Sequence, residues 1–360
     1  MPLFMDYHQF EGITVEEVKK AHIADLSVQH KYGVTYHQFW VNEKAGSVFC
    51  LMEGPDMHAC EMVHREAHGI VACAIVEVEA GFYELVMGKG HVIDTGHVLH
   101  PDGSVDPGIR FFISVCFPQF LVRENDAKER WRQISSAVSM CHGRRADTSG
   151  DETVLFVFNS AVNAVQCAVQ IHAFGSQAGV ERGCRIALAA GNPVTVTGEF
   201  FKETLKLATR INTIAPQDQI LFSALAAELC RNEMSNYPGE FFRFLDPSDE
   251  EFVSVLFEAV EKKLSHENFT IDQLCMDIGI SRPQLYRKTV ALTGLSPNEL
   301  IRHLRMKKAM TLLRKRSLNI AQVAMEVGYN NPSYFSKCFA GTFGRKPSEI
   351  SDNVLSYHGF

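Results

Sequence analysis

The chain has 360 residues, 46% of them hydrophobic and 21% charged, and a formal net charge of −7 at pH 7. No apolar run reaches the roughly 20 residues that cross a bilayer, no secretory signal pattern is read, and the 10 cysteines are scattered without a CxxC pair. These features argue against a membrane-spanning helix and a disulfide-stapled secreted domain, and predict a reduced, cytoplasmic protein of two or three domains. A glycine-rich stretch, 81–108, and one with prolines and acidic residues, 236–251, read as linkers,. The predicted units are therefore 1–80, 109–235 and 252–354, a multidomain α+β chain.

In the first unit the apolar alternation predicts strands at 3–8, 33–40, 47–52 and 70–78. Helices are expected at 14–29, capped by Thr14 with Glu17 three residues on, and at 55–67. That order is βαββαβ, a ferredoxin-like unit. Its histidines draw attention. His8 ends the first strand. His37 and Cys50 would face each other across a hairpin whose turn is centred near 43–44. His64 and His68 stand four apart, on one helical face. Imidazole and thiolate favour Ni, Zn, Cu or Co over Mg or Ca. The alternative is a set of separate surface and core histidines.

Four segments here carry a resemblance: Met5-Asp6-Tyr7-His8, Ala21-His22-Ile23-Ala24-Asp25-Leu26, Phe49-Cys50-Leu51-Met52-Glu53-Gly54-Pro55 and Val63-His64-Arg65-Glu66-Ala67-His68-Gly69. They are similar to a small family of nickel-binding ferredoxin-like proteins. The resemblance implies a metal-binding module, often dimeric, with His8, Cys50, His64 and His68 in matching segments. His22 also matches, as a ligand or as an orienting or core residue. His37 is added on hairpin geometry alone.

The second unit reads as α/β: strands at 111–117, 154–158, 185–188 and 219–223, and helices at 126–141, 160–174 and 200–214. Ser149-Gly150-Asp151-Glu152 with the strand after it, Ala161 to Val165, Leu207-Ala208-Thr209-Arg210-Ile211 and Gln219 to Ser223 resemble class III nucleotidyl cyclase domains. Such enzymes hold two metal ions on two carboxylates. Asp151 matches one, but residues 111–123 contain no Asp or Glu, and Cys116 or Ser114 stands where the other belongs. Asp147 occupies the position of the purine-reading lysine and Lys206 that of the transition-state asparagine, while Arg210 is retained. The expectation is a degenerate, non-catalytic cyclase-like domain that serves dimerisation, relay or ligand sensing.

The third unit shows two successive helix-turn-helix patterns. Thr270 with Gln273 and Ser281 with Gln284 read as capping boxes around Gly279,. Asn319 opens a helix ending at Gly328, and Asn331-Pro332 opens another. Ser296-Pro297 with Glu299 starts a joining helix over 297–314, about 27 Å long at 1.5 Å per residue. From Ser281 to Lys346 thirteen bases face two acids, +11 against −18 for the remainder of the chain. A basic region on an acidic protein is a nucleic-acid footprint. The run Ala324-Met325-Glu326-Val327-Gly328-Tyr329, then Asn331 to Phe339 and Gly344-Arg345-Lys346-Pro347, resembles the AraC-type regulator signature, and 274–294 resembles its first unit. The resemblance implies a seven-helix, all-α domain that sets two recognition helices into successive major-groove turns.

Polar side chains early in each recognition helix are the expected base readers: Arg282, Gln284, Arg287 and Lys288 in the first, Asn331, Ser333 and Lys337 in the second. Tyr286, Phe335 and Phe339 are expected in the core. Lys307, Lys308, Arg314, Lys315 and Arg316 are expected to meet phosphates or solvent. The function expected is a transcription regulator, not an enzyme. Its partners are double-stranded promoter DNA, a metal ion (nickel, or Zn, Cu or Co) or small effector, a second copy of itself, and RNA polymerase. The rivals are a nucleotide cyclase with a DNA-binding tail and a metal store.

Overall fold

The computed structural model describes residues 1–88, 90–93, 95–116, 124–146, 153–175, 184–196 and 198–352. Asp147 and Asp151, on which the cyclase comparison turns, lie outside the described residues. No described helix is long and apolar enough to cross a membrane.

The N-terminal elements are β1 (Leu3–Gln9), α1 (Val15–Val28), β2 (Thr35–Asn42), β3 (Ser47–Glu53), α2 (Met57–Ala67) and β4 (Ala74–Val78). They form one antiparallel sheet in the order β2-β3-β1-β4. Helix α1 starts at the expected capping box of Thr14 and Glu17. Alternation along β1 sends Phe4, Asp6 and His8 to the face beneath the two helices and Met5 and Tyr7 to the other. The helix-side core gathers Phe4, Val18, Phe39, Cys60 and Val63. The hairpin closes at Asn42 opposite Ser47, with Gly46 in the left-handed region. That turn is centred later than expected, so Cys50 faces Phe39 and not His37. A bulge between Tyr36 and Gln38 throws His37 out of the ladder,.

Residues 81–108 are no loose linker. They begin inside α3 (Ala80–Met87) and continue as the hairpin β5 (His91–Val92) and β6 (Val98–Leu99). Tyr83, Val86, Met87 and Val98 are buried in a core shared with Met5, Trp40, Phe49 and Leu51 of the first sheet. The glycines that suggested flexibility are bends: Gly88 caps α3, and Gly96, Gly103 and Gly108 turn the chain at positive φ,.

The central elements are β7 (Arg110–Cys116), α4 (Glu124–Met140), β8 (Arg144–Arg145), β9 (Thr153–Phe158), α5 (Ala161–Gly175), β10 (Arg185–Gly191), α6 (Lys202–Ile214), β11 (Ile220–Phe222), α7 (Ala224–Leu229), α8 (Arg231–Met234) and β12 (Phe242–Phe244). The sheet order is β12-β11-β10-β7-β9-β8. Its β10-β7-β9-β8 portion is antiparallel and repeats the strand order of the first sheet. Strands β11 and β12 extend it in parallel. Strand β12 lies inside 236–251, so the second expected linker is also part of the fold. Helices α4 and α5 cover one face through Ile134, Val138, Val165 and Ile171. Helix α6 covers the other through Ala208 and Ile211.

The C-terminal helices are α9 (Pro247–Lys263), α10 (Ile271–Ile278), α11 (Arg282–Thr293), α12 (Pro297–Lys315), α13 (Ile320–Glu326), α14 (Pro332–Phe343) and α15 (Pro347–Asp352). Capping boxes stand at Thr270/Gln273, Ser281/Gln284 and Ser296/Glu299, as the sequence predicts, and a fourth closes on Asn319/Gln322 at the expected helix start. Helix α12 serves two cores. Leu300 and Ile301 pack with Leu274, Leu285 and Leu292, whereas Met306, Met310 and Leu313 pack with Val323, Phe335 and Phe339. This unit docks on the central one. Arg210 pairs with Glu261 at 2.7 Å, and Lys307 Nζ donates to Thr153 Oγ1 at 3.2 Å.

Candidate metal centre and nucleic-acid interface

Burying an ionisable group is costly unless a partner is buried with it. Beneath α1 and α2 the chain buries Asp6, His8, His22, Asp25 and His64 together. His64 is the hub. Its Nε2 lies 2.7 Å from Asp6 Oδ2 and 3.2 Å from the Tyr36 hydroxyl. Its Nδ1 lies 3.3 Å from Asp25 Oδ1 and 3.3 Å from His68 Nε2. His8 Nε2 is 3.3 Å from Asp6 Oδ2, and His68 Nε2 is 3.2 Å from Asp25 Oδ1. The backbone N–H of Cys50 donates to Asp6 Oδ1 at 2.7 Å, which fixes that carboxylate from behind.

The electrostatics follow from this arrangement. Burial opposes charge on His64, yet hydrogen bonds to Asp25 and Asp6 push its pKa up to about 10. Burial raises the Asp6 carboxyl, but His8 and His64 hold it well below the usual carboxylate range. Asp25 is likewise lowered against its burial by His64 and His68. Burial lowers the His22 pKa, against the pull of Asp25 and Asp6.

Two overlapping donor groups result: Asp6, His8 and His64, and Asp25, His64 and His68, each with ligand atoms within 4.8 Å of one another. Imidazole with carboxylate suits a borderline divalent ion. His8 Nδ1 is buried without a hydrogen-bond partner. The residues present fit such an ion.

Of the candidates read from the sequence, His8, His64 and His68 come together. Cys50 lies beside the cluster, its thiol pushed well above its usual pKa by burial and by Asp6, and belongs to neither donor group. His22 packs on Phe39 at 4.9 Å with Nδ1 unbonded, also outside both groups. His37 is a correction: its side chain is 38% exposed, 3.8 Å from Glu53, because the bulge turns it away. Sequence reasoning missed Asp6 and Asp25 as partners. The signal was present, since Asp6 stands two before His8 on a strand and so shares its face.

The two helix-turn-helix units superpose in sequence. Counted from the caps Ser281 and Asn331, Leu285 matches Phe335, Arg287 matches Lys337, Thr289 matches Phe339, and Gly294 matches Gly344. The apolar members are buried and the cations exposed. Arg287, Ser333 and Lys337 carry no side-chain bond among the described residues. The other four candidates are engaged within the chain. Arg282 pairs with Asp272. Gln284 Oε1 accepts from Ser281 N and Oγ at 3.1 and 3.0 Å. Asn331 Oδ1 accepts from the N–H of Ser333 and Tyr334 at 2.9 and 3.0 Å. The Lys288 ammonium sits 4.9 Å over the Phe252 ring. Tyr286, expected in the core, is 58% exposed, and Tyr334 equally so. Lys307 and Lys308, expected to meet phosphates or solvent, donate to Thr153 and Ser265.

Residues 274–353 match the family model described as helix-turn-helix domain, and residues 4–78 match that of nickel responsive protein SCO4226-like. The regulator MtrA of Neisseria gonorrhoeae is 29% identical over 111 residues, 28% of this chain and 37% of that one. The chain carries an AraC-type helix-turn-helix domain. Beside this AraC-type domain stands a SCO4226-like one at the N-terminus. Histidine kinase P4 of Formosa agariphila is 38% identical over 104 residues, 29% of this chain and 8% of that one. The solved structure of SCO4226 from Streptomyces coelicolor is 40% identical, covering 21% of this chain and 94% of that one, with a TM-score of 0.21. The chain spans 8 to 39% of the length of the first curated relatives it matches. Neither family model reaches residues 79–273.

Proposed function

We propose that the chain is an AraC-type transcription regulator that reads double-stranded DNA with α11 and α14 and senses a transition-metal ion at its N-terminal unit. The observation that carries the DNA reading is the exposed cation at the same helical position in both repeats, Arg287 and Lys337, above a buried apolar back face,. The metal reading rests on the buried donor cluster. Asp6, His8 and His64, or Asp25, His64 and His68, would hold the ion. When bound, a borderline divalent ion supplies a cross-link among β1, α1 and α2. The chain's own residues prepare for it: Cys50 N–H orients Asp6, and Phe39 and Val63 exclude water.

Nickel is the ion proposed first, from the family that the N-terminal unit resembles. The βαββαβ element order supports a ferredoxin-like unit there. The same strand order in the central sheet supports a cyclase-like fold, proposed as non-catalytic and as the relay or dimerising part. A cytoplasmic homodimer that contacts RNA polymerase completes the reading.

The test is metal analysis of tag-free protein with Ni²⁺, Zn²⁺, Cu²⁺ and Co²⁺ titration of the apo form and of His64→Ala. Stoichiometric binding lost in the variant is expected. Undiminished binding in His64→Ala would remove this cluster as the site. DNA affinity unchanged by the bound ion would favour a metal store.

A further inference from the structure

We infer that helix α3 couples the N-terminal cluster to the central unit, with Tyr83 at one end and Arg144 at the other as positioning residues. The inference rests on the metal-sensing reading above and adds the route by which occupancy reaches the DNA-binding half.

Begin at the cluster. Tyr36 of β2 places its hydroxyl 3.2 Å from His64 Nε2. The bulge after Tyr36 lets β2 serve both faces of its sheet within a few residues,. Tyr36 and Phe39 face the histidines, while Gln38 and Trp40 face α3. Gln38 Nε2 donates to the Tyr83 hydroxyl, and the Trp40 and Tyr83 rings meet edge-on at 6.4 Å. A displacement of Tyr36 is thereby felt at Tyr83.

The far end of α3 is held by the central unit. The last carbonyls of a helix lack intrahelical donors. Here Arg144 Nε donates to Leu85 O at 2.7 Å and its Nη2 to Val86 O at 2.9 Å. Arg110 and Asn159 both donate to Met87 O, at 3.2 and 3.3 Å. Arg110 is held in turn by a bidentate pair with Asp106, both bonds 2.9 Å. Gly88 leaves room for this: a Cβ there would lie 2.9 Å from the Arg144 guanidinium carbon.

Arg144 stands on β8, which pairs with β9, and β9 begins at Thr153, the acceptor of Lys307 on α12. Helix α12 in turn joins the two helix-turn-helix units. The route from His64 to the rod between the two recognition helices thus alternates side-chain contacts with the backbone of β2, α3 and β9.

The experiment uses the full chain and a duplex selected by it from a random-sequence pool. DNA affinity is measured by anisotropy with and without stoichiometric Ni²⁺, for wild type, Tyr83→Phe and Arg144→Lys. Tyr83→Phe removes one hydroxyl and keeps the ring, so it preserves folding if Arg144→Lys does not. Coupling factors between sites are typically about 5- to 150-fold. The expected result is a metal-induced change in that range for wild type that shrinks toward one in the variants, while Ni²⁺ affinity and metal-free DNA affinity stay within about twofold. A merely structural role would lower Tm and leave the ratio of the two DNA affinities as in wild type. Variants that keep the full ratio overturn the relay and leave metal sensing intact. A wild type that binds no Ni²⁺ sinks the sensing reading itself. A wild type that binds Ni²⁺ with unchanged DNA affinity overturns the relay while the metal site stands.

Discussion

The first sheet and the β10-β7-β9-β8 part of the central one share a strand order and differ in what their first strands bury. On the helix-facing side of β1 the sequence places Phe4, Asp6 and His8; at the same place in β7 it places Phe111, Ile113 and Val115. One unit carries ionisable groups through its interior, satisfied by two carboxylates and three imidazoles. The other fills that space with apolar side chains. The lesson is that topology does not assign a site: chemistry is set by which residues alternate inward on a given strand.

The sharpest way to break the comparison is to exchange the residues. Ile113→Asp puts a carboxylate among the buried apolar side chains of the central core, such as Ile134, Val165 and Ile171. An unpaired buried charge is expected to prevent folding of that unit, read as loss of cooperative urea unfolding; a cooperative transition would show an unnoticed partner. Asp6→Ala removes a partner from buried His64 and should cost about 3–5 kcal/mol. Urea midpoints measure it, and Ni²⁺ binding should be lost with it. Ile113→Ala, by contrast, should cost about 2–5 kcal/mol from its cavity and leave Ni²⁺ binding unchanged.

The helix-turn-helix repeats give a gentler version of the same exchange. Arg287→Ala and Lys337→Ala should each weaken specific DNA binding by about 1–3 kcal/mol if the cation reads a base. A side chain that only meets phosphate would instead lower the salt slope by about one and weaken all sequences equally.

The smallest effect concerns a half-buried histidine of the joining helix. His303 of α12 is pushed down to about 4 by burial, then by Arg185 and Lys307, the reverse of carboxylate-flanked His64. It is neutral in the fold, whereas the unfolded imidazole takes a proton near pH 6.5. Stability from this residue is therefore intact above pH 6.5 and falls as pH drops from about 6.5 toward 4. Tm at pH 7.5 and pH 5 should differ less in His303→Phe than in wild type; an equal difference would clear His303 of that role.

Local chemistry was legible in the sequence. Caps such as Thr270/Gln273 and Ser296/Glu299 are three-residue devices, so spacing alone finds them, and the order of strands and helices follows from periodicity. What depends on distant residues was not. The His37–Cys50 pairing failed because the turn is centred one residue later, which sets Phe39 opposite Cys50, and because the bulge after Tyr36 turns His37 away,. Asp6 and Asp25 gained meaning only when β1, α1 and α2 met. Arg282, Lys288 and Lys307 read as free cations, yet each is engaged by a partner far along the chain or on another helix. Glycine content marked 81–108 as slack, where it records frequent turning of a packed segment.

Because α12 is anchored in both helix-turn-helix cores, it works as a ruler as well as a connector. Each residue of an α-helix advances the azimuth by about 100°, whereas each base pair of B-DNA advances it by roughly 34°. One residue inserted near Arg305 would swing α14 about a quarter-turn around the rod. No single added base pair could bring the duplex back into phase with both repeats. On the DNA reading proposed above, the length of α12 would set the spacing of the sequence the two repeats recognise.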